Sequence, residues 1–471
     1  MMMHKEMMHK SIMHKSIMHK YIKSFTIEDT TYSCALNARR LLFLFHIGFI
    51  LFTELFLYFI YRDYSQSIDR LTIRLSKINI LYVKIFQAFA LNNSLIDEKT
   101  NDKLMRFTDN APYTSSDIDL PTLYDVADKY NIQLQLQRST NDRSEIIPMN
   151  SGMISLVFKG YERETKNPVV IKMKRKHIQQ KLDKAIDNLL FSIYVLSFIP
   201  YINKYNVSEV IHKNIDMIRH QTDFLEEIEN MAVIRNNCKH LKYVKIPIAK
   251  REVTETYPDV IMMDFISGIK INEIEECDYE GFAKQLVKFV IVTIMFHGVS
   301  HGDLHGGNLL FIKDTNDKKY PYKIGVFDFG IVYSLNDEYQ LQLFDFISNL
   351  MKRPARESAE FFFKTKTFEP QDIFSTIPKD DYDTIMTFTE KLLNEIICDS
   401  KNANQLQIYK LISILNDYMS SKLVNFGIRI SDDFVKFQMV IAMLHGVAFT
   451  ICKNDVFSVL DSVLNDMITR V

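Results

Sequence analysis

The sequence predicts an α+β fold made of two lobes, with a helical extension in front of them and a second lobe that is mostly helical. Two short runs rich in β-branched residues, ISLVFKG at 154–160 and PVVIKMK at 168–174, lie on either side of a polar turn. Longer stretches with apolar residues at every third or fourth position flank these runs. The chain also has only 13 Gly and 11 Pro in 471 residues, a composition that favours helix over irregular structure.

Bulk composition excludes several classes of protein. The hydrophobic fraction of 47% is ample for a folded core, and the length allows two to three domains. The net charge of −1 and pI of about 6.9 give no sign of a nucleic-acid partner, and we expect none. The five Cys are scattered without a CxxC pair, which argues against a disulfide framework or a zinc site.

Residues 1–40 read as a low-complexity, disordered head. Met-His-Lys recurs there every five residues, which places His4, His9, His14 and His19 at regular spacing. A step of five residues turns about 140° around a helix, so the imidazoles would scatter and not share a metal. The composition therefore favours a disordered segment over a metal site.

Residues 41–61, LLFLFHIGFILFTELFLYFIY, are the most apolar part of the chain. At 1.5 Å per residue this segment reaches about 30 Å, the thickness of a bilayer core. His46 and Glu54 interrupt it, and a central acid costs a few kcal/mol that many Leu, Ile and Phe residues offset. We therefore predict a single membrane-spanning helix, with a buried or interfacial helix as the alternative.

The rest of the chain divides by periodicity. We expect a helical extension over 62–135 and a linker over 136–150, which is rich in Ser, Asn, Asp and Arg. A first lobe with inserted helices is expected over 145–268, and a helical second lobe over 269–471.

The stretch VSHGDLHGGNLLF at 299–311 concentrates polar and flexible residues in a chain poor in glycine. Asp303 precedes Asn308 by five residues, and Asp328 follows in an Asp-Phe-Gly tripeptide beyond a predicted strand pair. A divalent cation bound to phosphates needs a few hard oxygen ligands, which Asn308 and Asp328 supply. Asp303 is then the catalytic residue that faces the phosphoryl acceptor, as in kinases.

An upstream lysine completes this pattern. Lys172 lies on the predicted strand VVIK, where a kinase places the lysine that contacts the α- and β-phosphates. It requires a carboxylate partner, and the helix TDFLEEIENMAVIR offers Glu226, Glu227 and Glu229. The order and spacing of these motifs predict a bilobal, protein-kinase-like fold and an ion pair between Lys172 and Glu227.

Departures from ordinary protein kinases indicate a particular family. No GxGxxG precedes Lys172, the corresponding stretch PMNSGMISLVFKG has one loop glycine, Gly152, and no APE-type segment follows the Asp-Phe-Gly tripeptide. The stretches VVIKMKRKHI, MMDFISGIKI and HGDLHGGN resemble motifs of the ABC1/UbiB/aarF-domain (ADCK-type) atypical kinases. The resemblance covers about residues 65–360.

Two further motifs of that family are present in altered form. YVKIFQAF is similar to the KxGQ motif, with Lys84 and Gln87 retained and Phe86 in place of glycine. QTDFLEEIEN is similar to the family's ExD motif and the helix that follows it; it keeps Asp223, Glu227 and Asn230 but has Gln221 at the first acid.

The resemblance implies an ATP-dependent phosphotransferase or ATPase that uses ATP and Mg²⁺, with a helical cap over its site. It implies nucleotide contacts from the family-like positions and metal contacts from Asn308 and Asp328; the nucleotide positions are Lys172, Glu227, Lys84, Gln87, Ser151 and Gly152. It also implies association with a membrane lipid, and in particular with isoprenoid lipid metabolism.

Two alternatives remain at this point. A nucleotide-binding pseudokinase that acts as a membrane scaffold would keep the fold without transferring phosphate. A metallohydrolase would use His301 and His305, which flank Asp303 and whose imidazoles favour a transition metal, but it would leave Lys172 unexplained.

Overall fold

The computed structural model describes residues 30–79, 82–83, 111–138, 144–196, 215, 218–350, 352–402, 427–452, 459 and 462–463. The Met-His-Lys repeats predicted to be disordered lie outside these residues. The last part of that predicted head, residues 30–40, is helical and belongs to the first helix.

The described residues form helices and strands that we number in chain order. The helices are α1 (Thr30–Tyr61), α2 (Tyr64–Ile78), α3 (Leu120–Lys129), α4 (Ile178–Leu196), α5 (Phe224–Asn237), α6 (Arg251–Thr256), α7 (Tyr279–Ile291), α8 (Asp337–Asn349), α9 (Ala355–Lys364), α10 (Ile373–Thr376), α11 (Lys379–Asn402) and α12 (Asp432–Cys452). The strands are β1 (Ile132–Leu134), β2 (Gln137–Arg138), β3 (Ser144–Glu145), β4 (Asn150–Ser151), β5 (Ser155–Glu162), β6 (Pro168–Lys174), β7 (Val244–Lys245), β8 (Val260–Asp264), β9 (Val299–His301), β10 (Leu309–Lys313), β11 (Tyr322–Val326), β12 (Val332–Ser334), β13 (Phe368–Glu369) and β14 (Arg429–Ile430).

The chain separates into two compact units. The helical unit comprises residues 1–107 and 177–215, and the main unit comprises 108–176 and 216–471. This division differs from the boundaries expected from the sequence. Strand β1 pairs with β5, so the main unit begins before residue 145, whereas α4 packs on α1 and thus joins the helical unit.

In the helical unit, α1 packs through a narrow stripe of side chains. Arg40, Ile50 and Glu54 are buried, and they recur at helical spacing on one face. The Arg40 guanidinium binds the Asp187 carboxylate of α4 through two hydrogen bonds of 2.6 and 2.8 Å. The opposite face of α1 is apolar and exposed.

Glu54, which interrupts the apolar segment of α1, points into the unit and pairs with α2. Its carboxylate lies 2.9 Å from Nε of Arg70 and 3.2 Å from Nε of Arg74. Because Glu54 is 4% exposed, it needs such partners. His46, the other interruption, is exposed.

The first lobe of the main unit is built on an antiparallel sheet in the order β1-β5-β6-β8, with β4 added beside β5. Both faces of the sheet are covered, and the alternation along β6 shows how. Val169, Ile171 and Met173 face the core beneath α3 and α6, whereas Val170 faces the core that includes α5. The residue between Ile171 and Met173 therefore points towards α5.

The second lobe combines short strands with helices. Strands β10 and β11 form a hairpin that β7 joins in parallel, and β9 pairs with β12. Around them pack α7, α8, α9, α11 and α12 through a large shared core. A short π-helix at Val292–Phe296 links α7 to β9 and so precedes the stretch richest in predicted site residues.

The observed architecture confirms the predicted α+β, bilobal kinase-like fold with a mostly helical second lobe. Strands β5, β6, β10 and β11 lie where the sequence predicts them. The predicted linker at 136–150 is instead occupied in part by β2, β3 and β4, because short polar strands give no alternating hydrophobic signal.

Two described helices are long and apolar enough to cross a bilayer. One covers Ala38–Tyr61 within α1, with a mean hydropathy of 2.0, and the other is α12, with 1.6. They differ in burial. Phe434, Phe437 and Leu444 of α12 belong to the core of the main unit, whereas the span in α1 is mostly exposed.

Candidate nucleotide and metal site

Lys172 lies in the centre of the first-lobe sheet with its side chain buried. It is on β6, opposite Val157 of β5 and Ile261 of β8. Strand alternation turns it towards α5, away from the core formed by its two neighbours. At 6% exposure, its ammonium requires acidic partners.

Glu227 of α5 is one of these partners. Nζ of Lys172 donates to Oε1 at 2.7 Å and to Oε2 at 2.9 Å, so the ion pair expected from the sequence is present. Burial raises the pKa of Glu227 to about 7, against the opposing effect of Lys172. Burial alone would lower the pKa of Lys172, but the carboxylates of Asp328 and Glu227 raise it above its usual range.

The structure distinguishes Glu227 from the two other acids on α5. Glu226 contacts Nδ1 of His220 at 2.8 Å, and Glu229 contacts Arg251 at 2.9 Å. Both of these acids are substantially exposed, whereas Glu227 is 1% exposed. Glu227 alone among the three faces the sheet and Lys172.

The Asp-Phe-Gly segment lies beside this pair. Oδ2 of Asp328 is 3.1 Å from Nζ of Lys172. Helix α5 also holds the next residue, since the side-chain amide of Asn230 donates to the Phe329 carbonyl at 3.2 Å and the Phe329 backbone hydrogen-bonds to Glu227. Asp328 has a φ of +64°, a left-handed conformation uncommon for residues other than Gly and often associated with functional sites.

The β10–β11 hairpin brings Asn308 next to Asp328. The register of the hairpin places Asn308 opposite Phe327, whose N–H donates to the Asn308 carbonyl at 3.2 Å. The side-chain amide nitrogen of Asn308 donates to the Asp303 carbonyl at 2.9 Å. That bond orients the amide of Asn308 and leaves its oxygen as a candidate cation ligand.

His301 is a structural residue whose two ring nitrogens are both engaged. Nδ1 accepts from the Asp303 N–H at 3.0 Å, so Nε2 carries the proton and donates to the Phe327 carbonyl at 3.2 Å. Burial lowers the pKa of His301, which keeps the ring neutral, and the ring packs on Phe329 at 5.1 Å. His301 is therefore unavailable as the metal ligand that a metallohydrolase would need.

The carboxylate of Asp303, the predicted catalytic residue, is accessible. The backbone of Asp303 is held by His301 at its N–H and by Asn308 at its carbonyl, while its side chain is 38% exposed. His305 accepts from the Gly307 N–H at 3.1 Å, and its Nε2 lies 3.9 Å from Oδ2 of Asp303. The loop thus fixes the main chain of Asp303, while its carboxylate stays exposed to solvent.

The loop that the sequence predicts to contact nucleotide, residues 150–155, is hydrogen-bonded within the main unit. The Ser151 hydroxyl is buried, donates to the Ala111 carbonyl at 2.7 Å and accepts from Arg175 at 2.9 Å. The Gly152 N–H donates to the Ser155 carbonyl at 2.9 Å, and the Gly152 carbonyl accepts from Arg175. The polar groups of Ser151 and Gly152 therefore bind Ala111, Ser155 and Arg175, and their contact with a nucleotide stays a prediction.

Sequence reasoning missed Arg175 as part of this region. Arginine is seldom buried, so a lone Arg at a strand end is ordinarily read as a surface residue. The signal was its place in VVIKMKRKHI, three residues after Lys172 in a family-like stretch.

Two predicted site residues, Lys84 and Gln87, lie outside the described residues, and so does Phe86 between them. Gln221, which stands where the ExD motif has its first acid, lies beside Gly330. The Cα of Gln221 would be 3.6 Å from a Cβ added to Gly330.

Comparison with known proteins agrees with this geometry. Residues 137–362 match the family model described as the ABC1 atypical kinase-like domain. The chain is 25% identical over 266 residues to the protein ACTIVITY OF BC1 COMPLEX KINASE 8, chloroplastic, of Arabidopsis thaliana, covering 54% of this chain and 33% of that protein. It is 22% identical over 272 residues to the ABC1 family protein MCP2 homolog of Schizosaccharomyces pombe, covering 55% and 46%. The chain thus spans less than half the length of these two relatives.

Solved structures give weaker likenesses. The Rv3197–erythromycin complex of Mycobacterium tuberculosis aligns over 80% of this chain and 90% of that one, with 14% identity and a TM-score of 0.47. At this score the alignment supports no conclusion. The family model, the two relatives and the site geometry instead confirm the resemblance to the ABC1/UbiB atypical kinases seen in the sequence: residues 137–362 form an ABC1 atypical kinase-like domain.

Proposed function

We propose that the main unit binds ATP with Mg²⁺ and either hydrolyses the ATP or transfers its γ-phosphate. The observation that supports this most directly is the cluster of Lys172, Glu227 and Asp328, with Asn308 placed next to Asp328 by the β10–β11 hairpin. A buried lysine between two carboxylates, next to an oriented amide, is the arrangement that phosphoryl transfer requires.

The donor set fits magnesium. Asp328 offers an exposed carboxylate and Asn308 an amide oxygen, hard ligands in the small number that a phosphate-bound Mg²⁺ takes from protein. When bound, the ion would neutralise charge on the phosphates. Lys172, held by Glu227, would contact the α- and β-phosphates, exchanging its contact with Asp328 for a phosphate oxygen. Asp303 would orient the acceptor and take its proton.

The segment after Gly330 limits the class of acceptor. Six residues, 331–336, separate Gly330 from α8, and β12 among them pairs with β9. A segment so short and so fully paired leaves no long loop to hold an extended peptide. We therefore propose that the acceptor is water or a small or lipid molecule.

Single-turnover ATP hydrolysis in the presence of liposomes tests the proposal. We expect Asp303→Asn to slow hydrolysis about a hundredfold, the usual effect of losing a general base, while Asp383→Asn, an exposed acid on α11, leaves the rate unchanged. Adding an isoprenoid quinone to the vesicles in a parallel set tests the proposed lipid link, which predicts faster hydrolysis with it. Equal rates for wild type and Asp303→Asn would contradict catalysis.

The pseudokinase scaffold is the second candidate, and one observation favours it. The Ser151 hydroxyl and the Gly152 carbonyl, which the sequence predicts to contact nucleotide, both accept hydrogen bonds from Arg175. A scaffold would bind nucleotide without hydrolysing it. Wild type and Asp303→Asn would then show equal rates of hydrolysis.

We also propose that α1 anchors the chain in a membrane as a single spanning helix. Its outward face consists of large apolar side chains that are each at least 44% exposed, namely Leu41, Leu42, Phe45, Phe49, Leu51, Phe52, Leu55, Phe56, Phe59 and Ile60. Glu54 points inwards to Arg70 and Arg74, away from the apolar face. This orientation lowers the free-energy cost of placing that face against lipid.

Vesicle flotation tests this anchor. Replacing Phe49 and Phe52 together by Lys is expected to abolish flotation with phosphatidylcholine vesicles, whereas Leu341→Lys, at an apolar residue of α8 that is 68% exposed, has no effect. Resistance of the bound wild type to alkaline extraction would distinguish a spanning helix from one lying on the surface. Flotation that survives the double substitution would contradict the anchor.

A further inference from the structure

Arg175 is the most heavily hydrogen-bonded buried cation among the described residues near the site. It follows the last residue of β6 and is 5% exposed. Burial lowers the pKa of its guanidinium, and Asp117 partly opposes this effect. Since Arg175 does not contact Lys172 or its carboxylate partners, its role must lie in what it holds together.

The guanidinium joins the nucleotide loop, defined here as residues 150–155, to the segment that precedes α3. On the loop side, Nε and Nη2 donate to the Gly152 carbonyl at 3.0 and 2.8 Å, and Nη2 donates to the Ser151 hydroxyl at 2.9 Å. On the other side, Nη1 donates to the Pro112 carbonyl at 2.8 Å, and Nη2 to the Ala111 carbonyl at 3.2 Å. One side chain thus links two stretches of main chain.

The backbone of the loop is held by the same neighbours. The Ala111 N–H donates to the Ser151 carbonyl at 2.8 Å, and the Arg175 N–H donates to the Ile154 carbonyl at 2.9 Å. Within the loop, the Gly152 N–H donates to the Ser155 carbonyl. A loop with several glycines would be free to move, whereas this loop has one glycine, and the polar groups of Ser151 and Gly152 are hydrogen-bonded.

We propose that Arg175 is a positioning residue that fixes the nucleotide loop in place before the nucleotide binds. This inference rests on the proposed function, because the loop adjoins β5 and β6, where Lys172 would meet the phosphates. A loop already ordered in the free protein loses little conformational entropy on binding, so affinity is gained without closure of the loop.

Lysine cannot replace arginine in this role. The contacts diverge towards Gly152, Ser151, Ala111 and Pro112 from a rigid planar group, and an ammonium on a flexible stem reaches a subset of them. Arg175→Lys keeps the charge and therefore tests geometry alone.

Hydrogen–deuterium exchange of residues 150–155 in the free protein tests the clamp without nucleotide. We expect Arg175→Lys to speed exchange about tenfold or more, as expected for the loss of charge-assisted hydrogen bonds. The control is Arg163→Lys, because Arg163 is 53% exposed, lies just beyond β5 and pairs with Asp128 at 3.3 Å. Ser151→Ala removes one acceptor from the guanidinium and is expected to give a smaller change in the same direction, which keeps the test available if Arg175→Lys does not fold.

MgATP affinity and turnover of the same proteins then test the link to the nucleotide. We expect Arg175→Lys to raise the KM for MgATP about tenfold with kcat within about threefold of wild type. If Arg175→Lys leaves the exchange of the loop unchanged and MgATP still binds, the positioning role of Arg175 is wrong and the proposed function stands. Faster exchange with an unchanged KM would overturn its link to the nucleotide. A folded wild type that binds no MgATP would overturn the proposed function, and this inference with it.

Discussion

The segments around Asp303 and Asp328 present their polar groups in the opposite way from the nucleotide loop, residues 150–155. Around Asp303 and Asp328 the main chain is tied down, while the carboxylates are 38% and 43% exposed. In the nucleotide loop the Ser151 hydroxyl and the Gly152 main chain are turned into the protein, where Arg175 and Ala111 bind them. The first region leaves its carboxylates partly exposed to solvent, and the second bonds its polar groups within the protein.

This difference separates two kinds of contribution to one site. Exposed carboxylates act through their own chemistry, so a substitution there should affect catalysis and leave the fold intact. Buried hydrogen-bonding groups act through position, so a substitution there should affect stability or mobility first. The predictions below test that separation, from the largest expected effect to the smallest.

Asp328→Asn should produce the largest effect. Losing the anionic metal ligand is expected to reduce Mg²⁺-dependent ATP turnover about a thousandfold, while the free energy of unfolding stays within about 1 kcal/mol because the side chain is 43% exposed. Steady-state turnover across a Mg²⁺ titration measures the effect, with Asp383→Asn as the control. A variant that turns over at the wild-type rate would place the metal elsewhere.

Glu227→Gln should chiefly affect stability, because Glu227 is buried with Lys172. We expect the free energy of unfolding to fall by about 2 kcal/mol, since Lys172 loses a charged partner while keeping Asp328. Denaturant unfolding measures the change, and the neighbouring exposed Glu226→Gln is the control, expected to stay within about 0.5 kcal/mol. Equal losses in the free energy of unfolding for the two variants would show that the buried Lys172–Glu227 pair contributes no more to stability than an exposed pair.

The neutral ring of His301 predicts a dependence on pH. Its pKa is lowered in the folded state, so below about pH 6.5 the unfolded imidazole binds a proton that the folded one does not. The free energy of unfolding should therefore fall as the pH falls below that value, by up to about 1.4 kcal/mol per pH unit.

Urea unfolding of wild type and His301→Asn between pH 5 and 7 checks this sign. The contribution of His301 is the difference between the two profiles, and we expect the variant's profile to be flatter at the acidic end. His177→Asn, at an exposed histidine whose left-handed backbone Asn tolerates, should leave the wild-type slope unchanged. Parallel profiles for wild type and His301→Asn would contradict a neutral buried ring.

Ser151→Ala should have the smallest effect on nucleotide binding. The hydroxyl contacts Ala111 and Arg175, so we expect a loss of about 1 kcal/mol in stability and a KM for MgATP within about twofold of wild type. Unfolding and steady-state kinetics on the same sample measure both quantities. A large rise in KM with unchanged stability would instead support the direct contact between Ser151 and the nucleotide that the sequence predicts.

The fold was predictable where local patterns are strong. Strands β5 and β6 follow from β-branched runs around a polar turn, and the β10–β11 hairpin from apolar runs on either side of DTNDKK. The placement of α4 was not predictable, because its grouping with α1 depends on contacts such as Arg40 with Asp187, which lie 147 residues apart.

The sequence by itself determined which residues could hold phosphate and metal, because Lys172, Asp303, Asn308 and Asp328 are defined by chemical type, order and the strands that present them. Tertiary structure alone decided which of three acids on α5 meets Lys172, where Glu54 points, and that Ser151 and Gly152 serve Arg175. The physical reason is that burial and pairing depend on groups far apart in the chain, which local periodicity does not report.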